Sequence, residues 1–528
     1  MDNKLVYDYV IIGSGFGGSV AALRLTEKGY HVLVLEKGKE LKAPDFPKTN
    51  WNLKRWMWVP ALRFFGFFKL TFFRHITVLS GVGVGGGSLV YANTLPIPKD
   101  NFFSAESWAD LADWKKELAD HYVTAKTMLG ASRNPRKETG DQALQTLAGQ
   151  IGKPKDFELT EVAVFFGEPE KKVPDPFFGG EGPERKGCTF CGGCMTGCRF
   201  DAKNTLDKNY LYLARAKGAE LIAEANVHTV TQVKTADKSH EYKIQYHRST
   251  QLFGRNKTIR AKGVVFSGGV LGTVPLLLKL KKKNLPNLSD QVGKSVRTNS
   301  ESLVGVTTFD KKTVFSDGVA IGSILHTDEY SHIEPVRYSS GSGFWRILLA
   351  PMVSGSTLVK RFGNLLFDLI RHPIKNLGVL FTWDFAKRTQ ILLFMQTINS
   401  TLKFSPGLFG LKSSMEAGPK PTAFIPEAQD LVHSYAKIVN GKPVALLTET
   451  IAGIPTTAHI LGGCVMGTDS KNGVIDKDHR VFGYENMYIC DGSAISANPG
   501  VNPSLTITAL SERAMGKIPA KDKKTQPA

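Results

Sequence analysis

Tyr7-Asp8-Tyr9-Val10-Ile11-Ile12-Gly13-Ser14-Gly15-Phe16-Gly17-Gly18 is the stretch that decides the fold. A mostly apolar run of strand length enters a glycine turn. A helical pattern follows over 19–28, then a second strand over 31–35 that ends at Glu36. Strand, glycine turn, helix, strand and acid in this order make the dinucleotide-binding fingerprint in its full context. Gly13 permits the tight turn, and Gly15 lets backbone approach a pyrophosphate that the helix N-terminus favours. Gly18 allows close helix-to-sheet packing, and Glu36 can accept hydrogen bonds from ribose hydroxyls. The expected class is α/β with a Rossmann-type domain.

Around this nucleus the chain has 528 residues, which points to two domains. Lys and Arg outnumber Asp and Glu by 67 to 48, a formal charge of +19. Such an excess favours an anionic partner. No nucleic-acid module appears, so the expected partner surface is a membrane. No stretch of 18 apolar residues suits a bilayer span, and residues 1–4 lead straight into the first strand with no signal-peptide pattern. The expected location is cytoplasmic, peripheral on the inner face of the membrane. The six cysteines are then read as reduced.

Further along, residues 51–77 interleave tryptophans and phenylalanines with Lys54, Arg55, Arg63, Lys69 and Arg74, and contain no acid. That composition suits an interfacial membrane segment or a cover over an apolar cavity. Residues 344–381 repeat the theme. The block Gly81-Val82-Gly83-Val84-Gly85-Gly86-Gly87-Ser88 lets backbone approach a flat ligand. Cys188, Cys191, Cys194 and Cys198 have the spacing of an iron–sulfur run, although Arg199 stands where proline is usual. Zinc and a loop of reduced thiols are the other readings. Residues 263–273 return to strand, glycine turn and helix, and 300–450 carry a β pattern outside 344–381.

Near the far end stand His459-Ile460-Leu461-Gly462-Gly463-Cys464 and Asn498-Pro499-Gly500-Val501-Asn502-Pro503. An imidazole can take a hydroxyl proton near neutral pH, and a carboxamide can hold and orient the same hydroxyl. With a dinucleotide as hydride acceptor, this pair suits alcohol oxidation.

These blocks, with Asp491-Gly492-Ser493 and the turn at 267–273, resemble the glucose–methanol–choline oxidoreductases, and among them the bacterial cholesterol oxidase branch. The resemblance implies FAD as cofactor. Gly13, Gly15, Gly18 and Glu36 would hold its ADP half, and Gly85 and Ser88 would lie near the isoalloxazine. Val227 would approach the adenine, and Asp491 and Gly492 the ribityl-pyrophosphate. His459 would be the base and Asn502 its partner, with Glu334 the candidate acid for double-bond isomerisation. An FAD-binding domain is expected over 1–45, 79–100, 203–300 and 455–516. An α+β substrate domain, with a β-sheet and membrane- or substrate-facing helices, is expected over 46–78, 101–202 and 301–454. A disordered tail is expected over 517–528. The implied reaction is oxidation of a sterol 3β-hydroxyl with oxygen or another electron acceptor, an iron–sulfur cluster being one route. The alternatives are a long-chain or terpenoid alcohol dehydrogenase and, from another class, a membrane-surface flavoprotein binding module.

Overall fold

The computed structural model describes residues 6–235, 239–251, 254–355, 357–408 and 410–522. Val6–Ile12 forms the central parallel pair of strands with Lys257–Phe266, and Val32–Leu35 and Glu220–Ile222 extend the sheet on the far side of Val6–Ile12. Val32–Leu35 is buried along its whole length, as parallel strands covered on both faces require. The other edge of Lys257–Phe266 is shared. Its first half pairs antiparallel with His240–Arg248, beyond which lies Ala225–Lys234, and its last residues pair parallel with Met487–Ile489.

The turn after the first strand is a position that only glycine fits. Gly13 has φ +105°, and a Cβ there would lie 2.3 Å from the Ser267 carbonyl oxygen. A Cβ on Gly18 would lie 2.1 Å from the Gly13 oxygen, which is the close packing of helix Phe16–Glu27 on the sheet expected from the sequence. Helix Ser504–Gly516 packs beside Phe16–Glu27, tied by Arg24 Nε to Glu512 at 2.7 Å.

The second half of the molecule is a seven-stranded antiparallel sheet. Its order is Leu349–Pro351, Gly441–Leu446, Ser302–Thr308, Thr389–Gln396, Ser331–Val336, Ser323–His326 and Phe157–Leu159. Alternation along these strands sorts the side chains. Val306, Ile333, Leu392 and Phe394 pack under helices Thr139–Gln150 and Pro426–Ile438, while Ile321, Val336, Leu393 and Met395 form a separate cluster on the opposite face.

The two basic-aromatic segments share one apolar cluster. Trp56 stacks on Phe68 with centroids 4.5 Å apart and meets Phe344 and Trp345 edge to face. Most of 51–77 therefore folds inward as short strands and turns, so its aromatics act as cover. Helices Leu358–Arg371 and Pro373–Leu380 do the reverse and expose apolar side chains.

The start of the expected disordered tail is packed, which corrects that reading for 517–522. Ile518 is buried, and Lys521 bonds the Asp8 carboxylate at 2.6 Å and the Lys28 carbonyl through its amide. Residues 523–528 lie outside the described part. No helix of the described residues is long and apolar enough to cross a membrane.

Candidate active site

One cavity of about 630 Å³ runs from the glycine fingerprint to the inner face of the antiparallel sheet. Gly13, Gly15, Glu36 and Val227 line one end, and Asp491, Gly492, His459 and Asn502 lie further in. The innermost lobe is apolar, walled by Leu303, Ile321, Val336, Tyr338, Trp345 and Leu393.

The acids at the dinucleotide end are already engaged. Glu36 accepts from Ser14 N at 3.0 Å, Ser14 Oγ at 2.7 Å and Gly38 N at 2.8 Å. Burial nevertheless raises its pKa against these bonds. Asp491 accepts from Gly269 N and Thr273 Oγ1 through one oxygen and from Ser493 through the other. Both carboxylates thus brace the turns that form the cavity wall. Gly85 and Ser88 lie behind that wall. The Ser88 hydroxyl bonds the Gly85 carbonyl at 2.7 Å and accepts from Leu206 N, while Gly86 and Gly87 line the cavity instead. Gly18 is likewise not in the lining; it seats the helix.

His459 and Asn502 reach the cavity from two turns that need glycine. Gly462 has φ +73°, and a Cβ there would stand 2.1 Å from the Ser295 oxygen. Asn502 precedes helix Ser504–Gly516, and its buried Oδ1 has no hydrogen-bond partner within the protein. The Thr94 hydroxyl, also in the lining, is unpartnered too. Buried polar atoms are rarely left so, and an opening lined by glycine backbone and unpartnered polar atoms suits a bound dinucleotide and a hydroxylated substrate.

The sequence reading missed the residue that orients His459. Glu301 Oε2 lies 2.9 Å from His459 Nδ1, and both side chains are withdrawn from solvent. The other Glu301 oxygen accepts from the Thr457 hydroxyl, which itself accepts from the His459 amide at 2.9 Å. Burial, the largest single effect, would depress the imidazole pKa, but the Glu301 charge, the Glu301 hydrogen bond and the Glu334 charge together outweigh it, and the net direction is upward. A carboxylate on Nδ1 fixes the tautomer with Nε2 unprotonated. Below Glu301, burial pushes the Glu449 carboxyl up to about 8.

Glu334 sits on strand Ser331–Val336, on the same face as Val336, fully buried. His332 Nε2 lies 3.5 Å from one of its oxygens, and neither oxygen has a hydrogen bond. A buried carboxyl with no satisfied oxygen is costly to the fold.

The cysteine run does not form a metal site. Among the described residues no group of three or more His, Cys, Asp or Glu is arranged to hold a metal ion, which corrects the iron–sulfur reading of Cys188, Cys191, Cys194 and Cys198. Cys188 packs with Val162, Val164 and Ala202, and burial drives its thiol up and that of Cys194 to about 11. Cys188 and Cys194 pack here as small apolar side chains. All six cysteines are free. The loop is held by buried Lys203, whose Nζ bonds the carbonyls of Leu89, Tyr91 and Cys194. Burial brings that lysine down to about 7.

Family models described as GMC oxidoreductase match residues 183–295 and 408–511, and a Rossmann-like NAD(P)-binding model matches 11–44. The chain is 47% identical to a cholesterol oxidase of Acinetobacter baumannii, across 98% of its own length and 95% of that protein. It is 42% identical to a cholesterol oxidase of Mycobacterium tuberculosis, across 98% and 91%. The chain belongs to the GMC oxidoreductase family. Among solved structures, pyridoxine 4-oxidase from Mesorbium loti superposes with a TM-score of 0.61, covering 97% of this chain and 99% of that one. At 14% identity this shows the common fold.

This GMC oxidoreductase is an FAD-dependent enzyme acting on CH–OH donors. The opening lined by the fingerprint and the glycines of the cavity wall fits a dinucleotide such as FAD. What sequence spacing did not reveal in it is Glu301, which is 158 positions from His459 and carries no motif.

Proposed function

We propose that this enzyme oxidises the 3β-hydroxyl of a sterol, with His459 as base, and then moves the product's double bond into conjugation. The observation that carries the reading is that the Glu301-bound His459 and the Asn502 side chain, whose oxygen has no hydrogen bond, line one cavity together with an apolar wall. The two cholesterol oxidases named above, similar along nearly the whole chain, support the sterol class.

In this reading His459 Nε2 takes the hydroxyl proton, while Asn502 holds the same oxygen so that the carbinol C–H is aligned for departure. Bound FAD supplies the acceptor for the hydride that leaves that carbon. Proton removal by a placed base is worth typically about 10²–10⁴-fold, and alignment adds to it. Glu301 keeps Nε2 free and stabilises the imidazolium that results. The Leu303, Val336 and Leu393 wall excludes water and receives the apolar skeleton. Gly13, Gly15 and Glu36 would hold the ADP half of the cofactor, Val227 its adenine side, and Asp491 and Gly492 its middle. Glu334, buried and unpartnered on the face that carries Val336, would carry the proton between carbons during isomerisation. Oxygen is the proposed terminal acceptor, and the inner surface of the cytoplasmic membrane the proposed place of work.

Anaerobic mixing with a panel of sterols and long-chain or terpenoid alcohols tests the proposal. Sterols should bleach the flavin fastest, and oxygen should then restore the colour. Faster bleaching by fatty alcohols would overturn the substrate class, and no bleaching by any alcohol would overturn the reaction.

A further inference from the structure

Helices Leu358–Arg371 and Pro373–Leu380, joined at His372, are turned inside out relative to a folded core. Arg361, Asp368 and Asn376 are turned toward the body of the protein. Arg361 bonds the Ile451 and Gly355 carbonyls, Asn364 bonds the Ser354 carbonyl, and Lys442 bridges Asp368 and Asn376 at 2.6 Å each. Arg346 fastens the far end through the Thr382 carbonyl at 2.8 Å.

The apolar residues face outward. Of the 23 exposed large hydrophobics among the described residues, 12 fall between Leu358 and Trp383. Ile370 is 78% exposed, Ile374 84%, Phe381 80% and Trp383 92%. So concentrated an apolar face marks a binding surface rather than ordinary scatter. The exposed charges in the same stretch are Lys360, Arg371 and Lys375, all cationic. Its acid, Asp368, is neutralised by Lys442 from below. An apolar face edged by cations, on a chain of formal charge +19, is complementary to an anionic lipid leaflet.

The strap also lies against the cavity wall. Helix Leu358–Arg371 packs on strand Leu349–Pro351 and on the turn Thr448–Ala452. Leu349 and Leu446, at the base of these elements, line the cavity together with Trp345.

We infer that the strap 358–383 docks this enzyme on an anionic lipid leaflet and sets the cavity entrance against it, so that an apolar alcohol passes from bilayer to active site. The delivery half of this inference rests on the proposed sterol reaction; the docking half stands on the surface alone. Docking requires no change of covalent structure and no cofactor step.

Sedimentation of the full FAD-loaded protein with phosphatidylcholine vesicles, with and without phosphatidylglycerol, tests it. The wild type should bind the anionic vesicles and lose binding as salt rises. Ile370→Glu with Ile374→Glu should weaken that binding at least about tenfold, since charges replace side chains that enter the acyl boundary. Detergent-dispersed alcohol should be oxidised as before, which shows that the variant is folded. Lys360→Ala, Arg371→Ala and Lys375→Ala together should remove the preference for phosphatidylglycerol. Equal vesicle binding by the wild type and the double glutamate variant overturns the docking. So does a wild-type dimer in light scattering that the double variant converts to monomer, because the face is then a self-association surface. If vesicles bind but no alcohol bleaches the flavin, docking holds, and both the delivery half and the reaction assigned above fall.

Discussion

Glu301 Oε2 and His459 Nδ1 stand 2.9 Å apart in a region closed to solvent, and this contact decides which imidazole nitrogen can act. With the carboxylate on Nδ1, the lone pair belongs to Nε2. The proposed role of His459 as base sets a first expectation. His459→Ala should lower the anaerobic rate of flavin reduction by about 10²–10⁴-fold while FAD content stays at one per chain. Because the glycine cradle lies elsewhere, a variant that loses its flavin would point to a structural histidine instead.

The same contact sets the pH dependence. As the proposed base, His459 must be neutral to accept a proton, and Glu301 with Glu334 raises its pKa above the ordinary value against the opposing effect of burial. Activity therefore falls as pH drops through that raised pKa. Glu301→Gln removes the carboxylate that raises the imidazole pKa most, with Glu334 remaining, so the imidazole pKa falls and the acid limb of kcat/KM moves to lower pH. The plateau should fall too, since a weaker base drives proton transfer less. An unmoved acid limb would show that His459 is not the group being titrated.

The proposed role of Glu334 in isomerisation can be tested apart from oxidation. Glu334→Gln keeps the volume and removes the exchangeable carboxyl proton. Oxidation should continue at a rate within about tenfold of the parent, a barrier change of roughly 1.4 kcal/mol or less. The product should remain unconjugated, which ultraviolet absorbance of the ketone reports directly. Conjugated product formed at the parent rate would remove the carboxyl from the isomerisation.

Gly462 tests the turn that carries His459. Its φ of +73° and the Ser295 oxygen 2.1 Å from a would-be Cβ leave no room for a side chain. Gly462→Ala should cost on the order of 1–3 kcal/mol, read as a lower Tm, and should reduce activity by displacing the imidazole. A Tm equal to the parent would mean that the turn relaxes freely.

The parts of this fold that could be read in advance are those where chemistry is local in sequence. The fingerprint compresses a strand end, a turn and a helix start into six residues, so Gly13 and Gly18 announce their packing. His459 and Asn502 were legible because each sits among glycines and prolines that only a strained turn explains. Glu301 was not, because its neighbours Ser300 and Ser302 say nothing of an imidazole brought from the other end of the chain. The cysteine spacing misled for a related reason: spacing counts residues, whereas a metal needs converging sulfurs, and these pack among valines and phenylalanines. In the glycine block, Gly86 and Gly87 line the cavity, while the Ser88 hydroxyl bonds the Gly85 carbonyl three residues back.

The crevice of the fingerprint and the apolar lobe are one continuous void, and His459 and Asn502 both line it. A cofactor in the first part and an alcohol in the second would border each other without an intervening partition. Their affinities are then coupled, and the coupling is reciprocal: whatever factor bound alcohol adds to flavin retention, bound flavin adds to alcohol affinity. Loss of flavin would therefore weaken capture of the substrate as well as its turnover.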